Sequence, residues 1–230
     1  MQKWDCELQK KRLDEIAKSG HIARSPRDQR MSAVLLPLIE GEKGYEILFE
    51  QRSLKLAVQP GDICLPGGGI EEGESPQEAA VRETAEELLI KKEQIEIISP
   101  LDGTIGPGDR IIWPFLGMIS DYKGSWSEDE VDHTFTIPLS YFLETEPERY
   151  EAEQITVPEE GFPYDLVTGG RSYRFRKKKY TFLFYRTEQA VIWGATARVI
   201  HGFTEFWKYG PLEMEAGRIK GKEKHDTGNK

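Results

Sequence analysis

Residues Gly68 to Ile90 read GGIEEGESPQEAAVRETAEELLI, a loop rich in glycine and acid that runs into a helix carrying Arg82, Glu83, Glu86 and Glu87. Ser75, Pro76 and Glu78 make the helix start: the serine hydroxyl caps, the proline suits the first helical position, and the glutamate completes a capping box. At about 100° per residue from Ala80, the side chains of Ala80, Val81, Thr84, Ala85 and Leu88 occupy an arc of roughly 0 to 140°. Glu86, Glu83 and Glu87 fall at roughly 240, 300 and 340° on the same count. One face is suited to pack on a sheet, and the other presents acid.

Carboxylates three and four residues apart on a helix repel by about 0.2–0.5 kcal/mol per pair in water, and by more when partly buried. A divalent cation reverses that sign. Magnesium prefers carboxylate oxygens and commonly takes substrate phosphate into its shell, so an acidic helix face at a cleft suits a diphosphate. Pro66, Gly67, Gly68 and Gly69 precede the helix and let backbone approach a metal or phosphate closely. A solvated acidic surface is the ordinary reading of a Glu-rich helix. Here the cap, the glycine loop and the segregated faces coincide.

Gly68, Glu74, Arg82, Glu83, Glu86 and Glu87 fit the pattern G-x5-E-x7-R-E-U-x-E-E-x-G-U, with U a bulky apolar residue, and on them the chain resembles a Nudix hydrolase. Thr84 stands at an apolar position of the pattern and Leu89 at its last glycine. The glycine would let the chain turn out of the helix, so Leu89 is expected to extend it. The resemblance implies that Glu83 and Glu87 hold Mg2+ or Mn2+, that Glu86 joins a further metal, that Arg82 orients Glu83, and that Glu74 braces Arg82. It also implies a backbone carbonyl ligand from Gly68 or its neighbour Gly67. The fold implied is α/β, a Nudix-type α/β/α sandwich with a mixed central sheet.

Upstream, Leu48 to Gly68 reads LFEQRSLKLAVQPGDICLPGG, similar to the stretch that marks coenzyme A pyrophosphatases. Arg52, Ser53, Leu56, Gly61, Pro66, Gly67 and Gly68 keep that motif, while Glu50, Ala57, Gln59 and Leu65 replace its threonine, arginine, histidine and phenylalanine. Ile192 to Arg198, IWGATAR, resembles the run that opens the last helix in the same subfamily. The substrate implied is coenzyme A or an acyl-CoA. An ADP-ribose or other nucleoside-diphosphate pyrophosphatase is the neighbouring alternative, and a Nudix module that binds without turnover is the alternative of another class. Glu130, in SEDEVDHTFTIPL, is a candidate ligand or base, so Glu83, Glu86 and Glu130 all stand open as the proton acceptor. Arg52 is a candidate substrate contact or an ordinary surface ion pair.

The rest of the chain bounds these expectations. A formal charge of −9 over 230 residues disfavours double-stranded nucleic acid as partner. The two cysteines, Cys6 and Cys64, make no disulfide framework, the apolar runs are too short to span a membrane, and no signal-peptide core is present, so a cytoplasmic protein is expected. Apolar spacing predicts an N-terminal helix within 1–20, which is a candidate homodimer contact, then a catalytic domain over 21–211 and a disordered tail over 212–230. Glu144 to Glu160 reads as a solvated acidic insert, and 172–175 with 180–185 as a hairpin around a basic turn. The histidines share no metal-ligand spacing.

Overall fold

Along Met31–Gly41 (β1) the side chains alternate between two cores, and that alternation creates the layers. Ala33 and Leu35 face one cluster, with Ala79, Ala80, Ala85 and Leu88 of the acidic helix, Pro76–Glu87 (α1). Leu36 and Leu38 face the other, with Phe142, Ala197, Ile200 and Phe203. Period-two alternation within a strand sends successive residues to opposite faces.

The computed structural model describes residues 31–105 and 111–226, which fall in a compact unit beginning at Met31. The expected N-terminal helix, and with it the candidate dimer contact, lies outside these residues. Gly44–Arg52 (β2) returns antiparallel to β1 through a turn whose Gly44 has a φ of 125°, the left-handed side that glycine tolerates. Ile63–Cys64 (β3) pairs with β2, and Gly67–Gly69 (β4) pairs with the start of β1. After α1 come Ile95–Pro100 (β5), Thr104–Ile105 (β6) and Ile111–Ile119 (β7), the last running parallel to β1 and antiparallel to β5 and β6. Val131–Pro138 (β8) pairs with β2 and leads into the short helix Leu139–Glu144 (α2). The sheet is mixed, with α1 on one face and α2 with the last helix on the other: the α/β/α sandwich expected.

A second sheet of three strands follows, Glu148–Gln154 (β9), Lys178–Arg186 (β10) and Val191–Trp193 (β11), ordered β11-β10-β9. Here the expectations need correction. The acidic insert is partly strand, and the partner of β10 is β9 rather than 172–175. The two strands pair along an antiparallel ladder from Glu148 opposite Phe184 to Gln154 opposite Lys178, with Arg186 meeting Glu148 at 2.7 Å and Lys177 meeting Glu153 at 3.0 Å on its exposed side. The final helix, Gly194–Asp226 (α3), has a non-helical residue at Gly210. Backbone over 211–226 is helical where composition suggested an unstructured tail.

Leu89 does not extend α1. The helix stops with Leu88 as its C-cap, Leu89 takes a φ of 50°, and the Ile90 N–H donates to the Ala85 carbonyl at 3.1 Å. This is the closure that a glycine ordinarily supplies, achieved by a leucine in the left-handed region.

Candidate functional site

The capping box forms as expected: the Glu78 N–H donates to the Ser75 hydroxyl at 3.2 Å, and the Ser75 N–H donates to Glu78 at 2.9 Å. It fixes where α1 begins and therefore which way its acids point. Arg82 is the hub. Its Nε and Nη2 donate to the two oxygens of Glu74 at 2.9 and 3.0 Å, and Nη2 also reaches the Gly69 carbonyl at 3.1 Å. Nη1 lies 2.9 Å from Glu83 Oε1 and 3.3 Å from Glu86 Oε2. One guanidinium thus ties helix, loop and sheet edge together and leaves Glu83 Oε2 free of it.

Glu83, Glu87 and Glu130 each bring an oxygen to within 4.8 Å of the others. Glu87 is 3% exposed, and its Oε2 accepts the Gly67 N–H at 2.8 Å. Glu130 comes from a different part of the chain, just ahead of β8, and its carbonyl accepts the Ser53 N–H at 2.8 Å. Glu86 is placed differently, with a side chain 60% exposed and turned to Arg82. Gly68 has the closest backbone: a Cβ there would lie 2.4 Å from the Glu83 carboxyl carbon. At Gly67 a Cβ would meet the Ala33 carbonyl oxygen at 2.3 Å. The loop can lie against the acids because it has no side chains.

Charges in this cleft act on one another. Burial raises Glu87 well above the ordinary carboxylate range, reinforced by Glu50, while the Gly67 N–H works the other way. Burial also raises Glu83, against the pull of Arg82. Glu74, bonded by Arg82, is lowered. Acids that are costly to ionise at a cleft edge, with oxygens turned toward each other, are the donor chemistry of a hard divalent cation such as magnesium or manganese.

Glu50 carries no mark in the sequence beyond replacing a threonine, yet it is 1% exposed in this cleft. Its Oε1 accepts the Cys64 thiol at 3.3 Å, and its pKa is pushed up to about 7 by burial, with Cys64 and Arg52 opposing. The Cys64 thiol is itself raised by burial and by Glu50, so it stays protonated. Strand alternation was the available signal: Glu50 is two residues from Leu48 and shares its face, the face of α1. Arg52 sends Nη2 to the Val58 carbonyl at 3.5 Å and leaves a buried Nε without a partner among the described residues.

A second grouping, Glu146, His201 and Glu205, also brings three ligand atoms within 4.8 Å of one another, which sequence spacing did not signal. Cations already serve it. Arg149 Nη2 lies 3.0 Å from His201 Nε2, and Lys208 lies 3.2 Å from Glu146.

A family model described as NUDIX domain matches residues 29–167, more than half of the chain and inclusive of β1, α1 and Glu130. The chain belongs to the Nudix family. Among its Nudix relatives is mouse "Peroxisomal coenzyme A diphosphatase NUDT7", 35% identical over 127 residues, 54% of this chain. The match spans 52% of the mouse protein, about half its length. "Uncharacterized Nudix hydrolase NudL" of Shigella flexneri serotype 5b is 31% identical over 185 residues, 78% of this chain and 83% of NudL. Among solved structures, a MutT/nudix family protein from Enterococcus faecalis aligns with a TM-score of 0.50 at 14% identity, covering 90% of this chain and 76% of that one. That likeness concerns the fold alone. No helix among the described residues is long and apolar enough to cross a membrane.

Proposed function

We propose that this Nudix protein is a metal-dependent hydrolase that cleaves the diphosphate linkage of coenzyme A or an acyl-CoA, giving 3′,5′-ADP and (acyl-)4′-phosphopantetheine. The observation that carries the metal dependence is the convergence of Glu83, Glu87 and Glu130 within 4.8 Å, with Arg82 bracing Glu83. Three oxygen donors, one of them nearly fully buried, fit Mg2+ or Mn2+. When bound, such a cation supplies electrostatic stabilisation of the charge that develops on a phosphate in the transition state.

The chain's own residues do the rest. Glu83, Glu87 and Glu130 hold the cation, with the backbone of Gly68 or Gly67 close by. Arg82 keeps the Glu83 carboxylate in one orientation, and Glu74 keeps Arg82 in place. Glu83, Glu86 and Glu130 are the candidates to take a proton from an attacking water. Arg52, beside Glu50 at the end of β2, contacts substrate phosphate. The preference for coenzyme A rests on the motif that spans Leu48 to Gly68 and on the resemblance to the mouse diphosphatase. The thiol of Cys64 fits a reducing, cytoplasmic setting.

The experiment is turnover with Mg2+ or Mn2+ on coenzyme A, an acyl-CoA, ADP-ribose, NADH and diadenosine polyphosphates. Turnover of coenzyme A above the others supports the reading. Preference for ADP-ribose moves the protein to the neighbouring pyrophosphatase class, and folded protein inert on the whole panel favours a binding module. Glu87→Gln is expected to lower kcat/KM by roughly 10²-fold or more with the fold retained. Near-wild-type turnover would remove Glu87 from the metal site.

A further inference from the structure

We infer that Glu50 is an additional ligand of the cation seat, supplying its Oε2 alongside Glu83, Glu87 and Glu130. The inference rests on the metal-binding reading of that seat and adds a residue from the sheet. The residue pattern of α1 gives no hint of it.

Three observations carry it. The first is an accounting of oxygens. Glu83 Oε1 is held by Arg82, Glu87 Oε2 by the Gly67 N–H, and Glu50 Oε1 by the Cys64 thiol. Each acid therefore has one oxygen fixed and one left over. The second is that Glu50 Oε2 is buried and has no hydrogen-bond partner among the described residues, in a side chain 1% exposed. A buried carboxylate oxygen left bare is expensive, and such atoms in folded proteins generally have a partner, whether protein, water or ion. The third is direction. Strand alternation puts Glu50 on the face of β2 that carries Leu48 and meets α1. Glu50 is not one of the three acids whose oxygens already lie within 4.8 Å of one another, so ligation requires its carboxylate to turn toward that seat as the cation binds.

The chain also holds Glu50 in position. Glu50 is paired across the β2–β3 ladder with Cys64, three residues before the Gly67 that binds Glu87. The same short segment therefore sets both buried acids, and the Cys64 thiol donates to Glu50 Oε1 at 3.3 Å and orients it. Shared by four carboxylates, a hard divalent cation has oxygen donors from α1, from the sheet and from the loop ahead of β8.

The test is Mn2+ binding by full-length protein, followed by titration calorimetry and by the EPR spectrum of the bound ion. Glu50→Gln is expected to weaken Mn2+ binding roughly ten- to a hundredfold and to change the spectrum of the saturated complex. Should that variant fail to fold, Glu50→Thr, the residue that the similar motif carries here, takes its place with the same expectations. Wild-type affinity in the Glu50 variant, with binding lost in Glu87→Gln, overturns ligation by Glu50 and leaves the seat intact. Weaker binding with an unchanged spectrum overturns it too, since charge alone would then account for the effect. A wild-type protein that takes up no Mn2+ overturns both this inference and the metal-dependent function.

Discussion

Adding one methyl group at Gly68 should damage the site while leaving the fold almost untouched. The Ala Cβ would stand 2.4 Å from the Glu83 carboxyl carbon and 2.5 Å from both of its oxygens, where ordinary contact begins at 3.4 Å. The carboxylate must therefore retreat by about 1 Å, and a misplacement of about that size can cost roughly 10²-fold in rate. That is about 2.7 kcal/mol of transition-state stabilisation. The stability change should be small, because the obstructing atoms are the far end of a flexible side chain. Moving off a rotamer costs about 0.5–1.5 kcal/mol, and replacing glycine returns roughly 0.4–1 kcal/mol through the unfolded chain. Gly67→Ala is the contrasting control. Its Cβ would meet the Ala33 carbonyl oxygen at 2.3 Å and the Val34 Cα at 2.6 Å, at a φ of 145°. Neither backbone atom can step aside within the sheet, so a loss of about 3 kcal/mol is expected. At about 2–4 °C per kcal/mol, that lowers Tm by roughly 6–12 °C. Thermal melts, Mn2+ titration and kcat/KM measured together on both variants separate the two effects. Gly68→Ala with Mn2+ affinity and kcat/KM both close to wild type would refute the placement of Glu83.

Two further expectations follow from the acids and the cap. In metal-free protein, Glu50 keeps its proton in the folded state after the unfolded chain has lost it, so stability should fall as pH rises from 4.5 through about 7. At about 1.36 kcal/mol per decade of proton affinity the loss is roughly 3 kcal/mol. Glu87 adds to it in the same direction, while His201, lowered by burial, works oppositely below 6.5. Denaturation with chelator at pH 5 and pH 8 should show the wild type losing stability relative to Glu50→Gln, and parallel behaviour of the two proteins would contradict it. Ser75→Ala removes the cap and should cost about 1 kcal/mol, or roughly 2–4 °C in Tm. An unchanged melt would mean that packing alone sets the start of α1.

Local chemistry was legible in the sequence where neighbours in the chain are neighbours in space. Ser75 to Leu88 contains its own cap, its packing stripe and its acid face, so α1 could be read directly, as could the main strands around it, while the pairing of Arg82 with Glu74 and Glu83 was implied by the family resemblance. Leu89 went the other way, because turning the chain at Ile90 outweighed the preference of leucine for ordinary backbone. The acidic stretch at 144–160 reads as a solvated insert and 180–185 as a strand paired with 172–175, and only the tertiary structure made β9 the partner of β10.

What the sequence by itself determined is the acidic helix, its glycine loop and the family to which both belong. Those features arise from residues within one or two turns of each other. The tertiary structure alone decided which carboxylates converge. It buried Glu87, turned Glu86 outward to Arg82, brought Glu130 to Glu83 and Glu87 from the loop ahead of β8, and buried Glu50 on the face of β2 that meets α1. Distances across a sheet depend on register and layer packing, and no spacing along the chain encodes them.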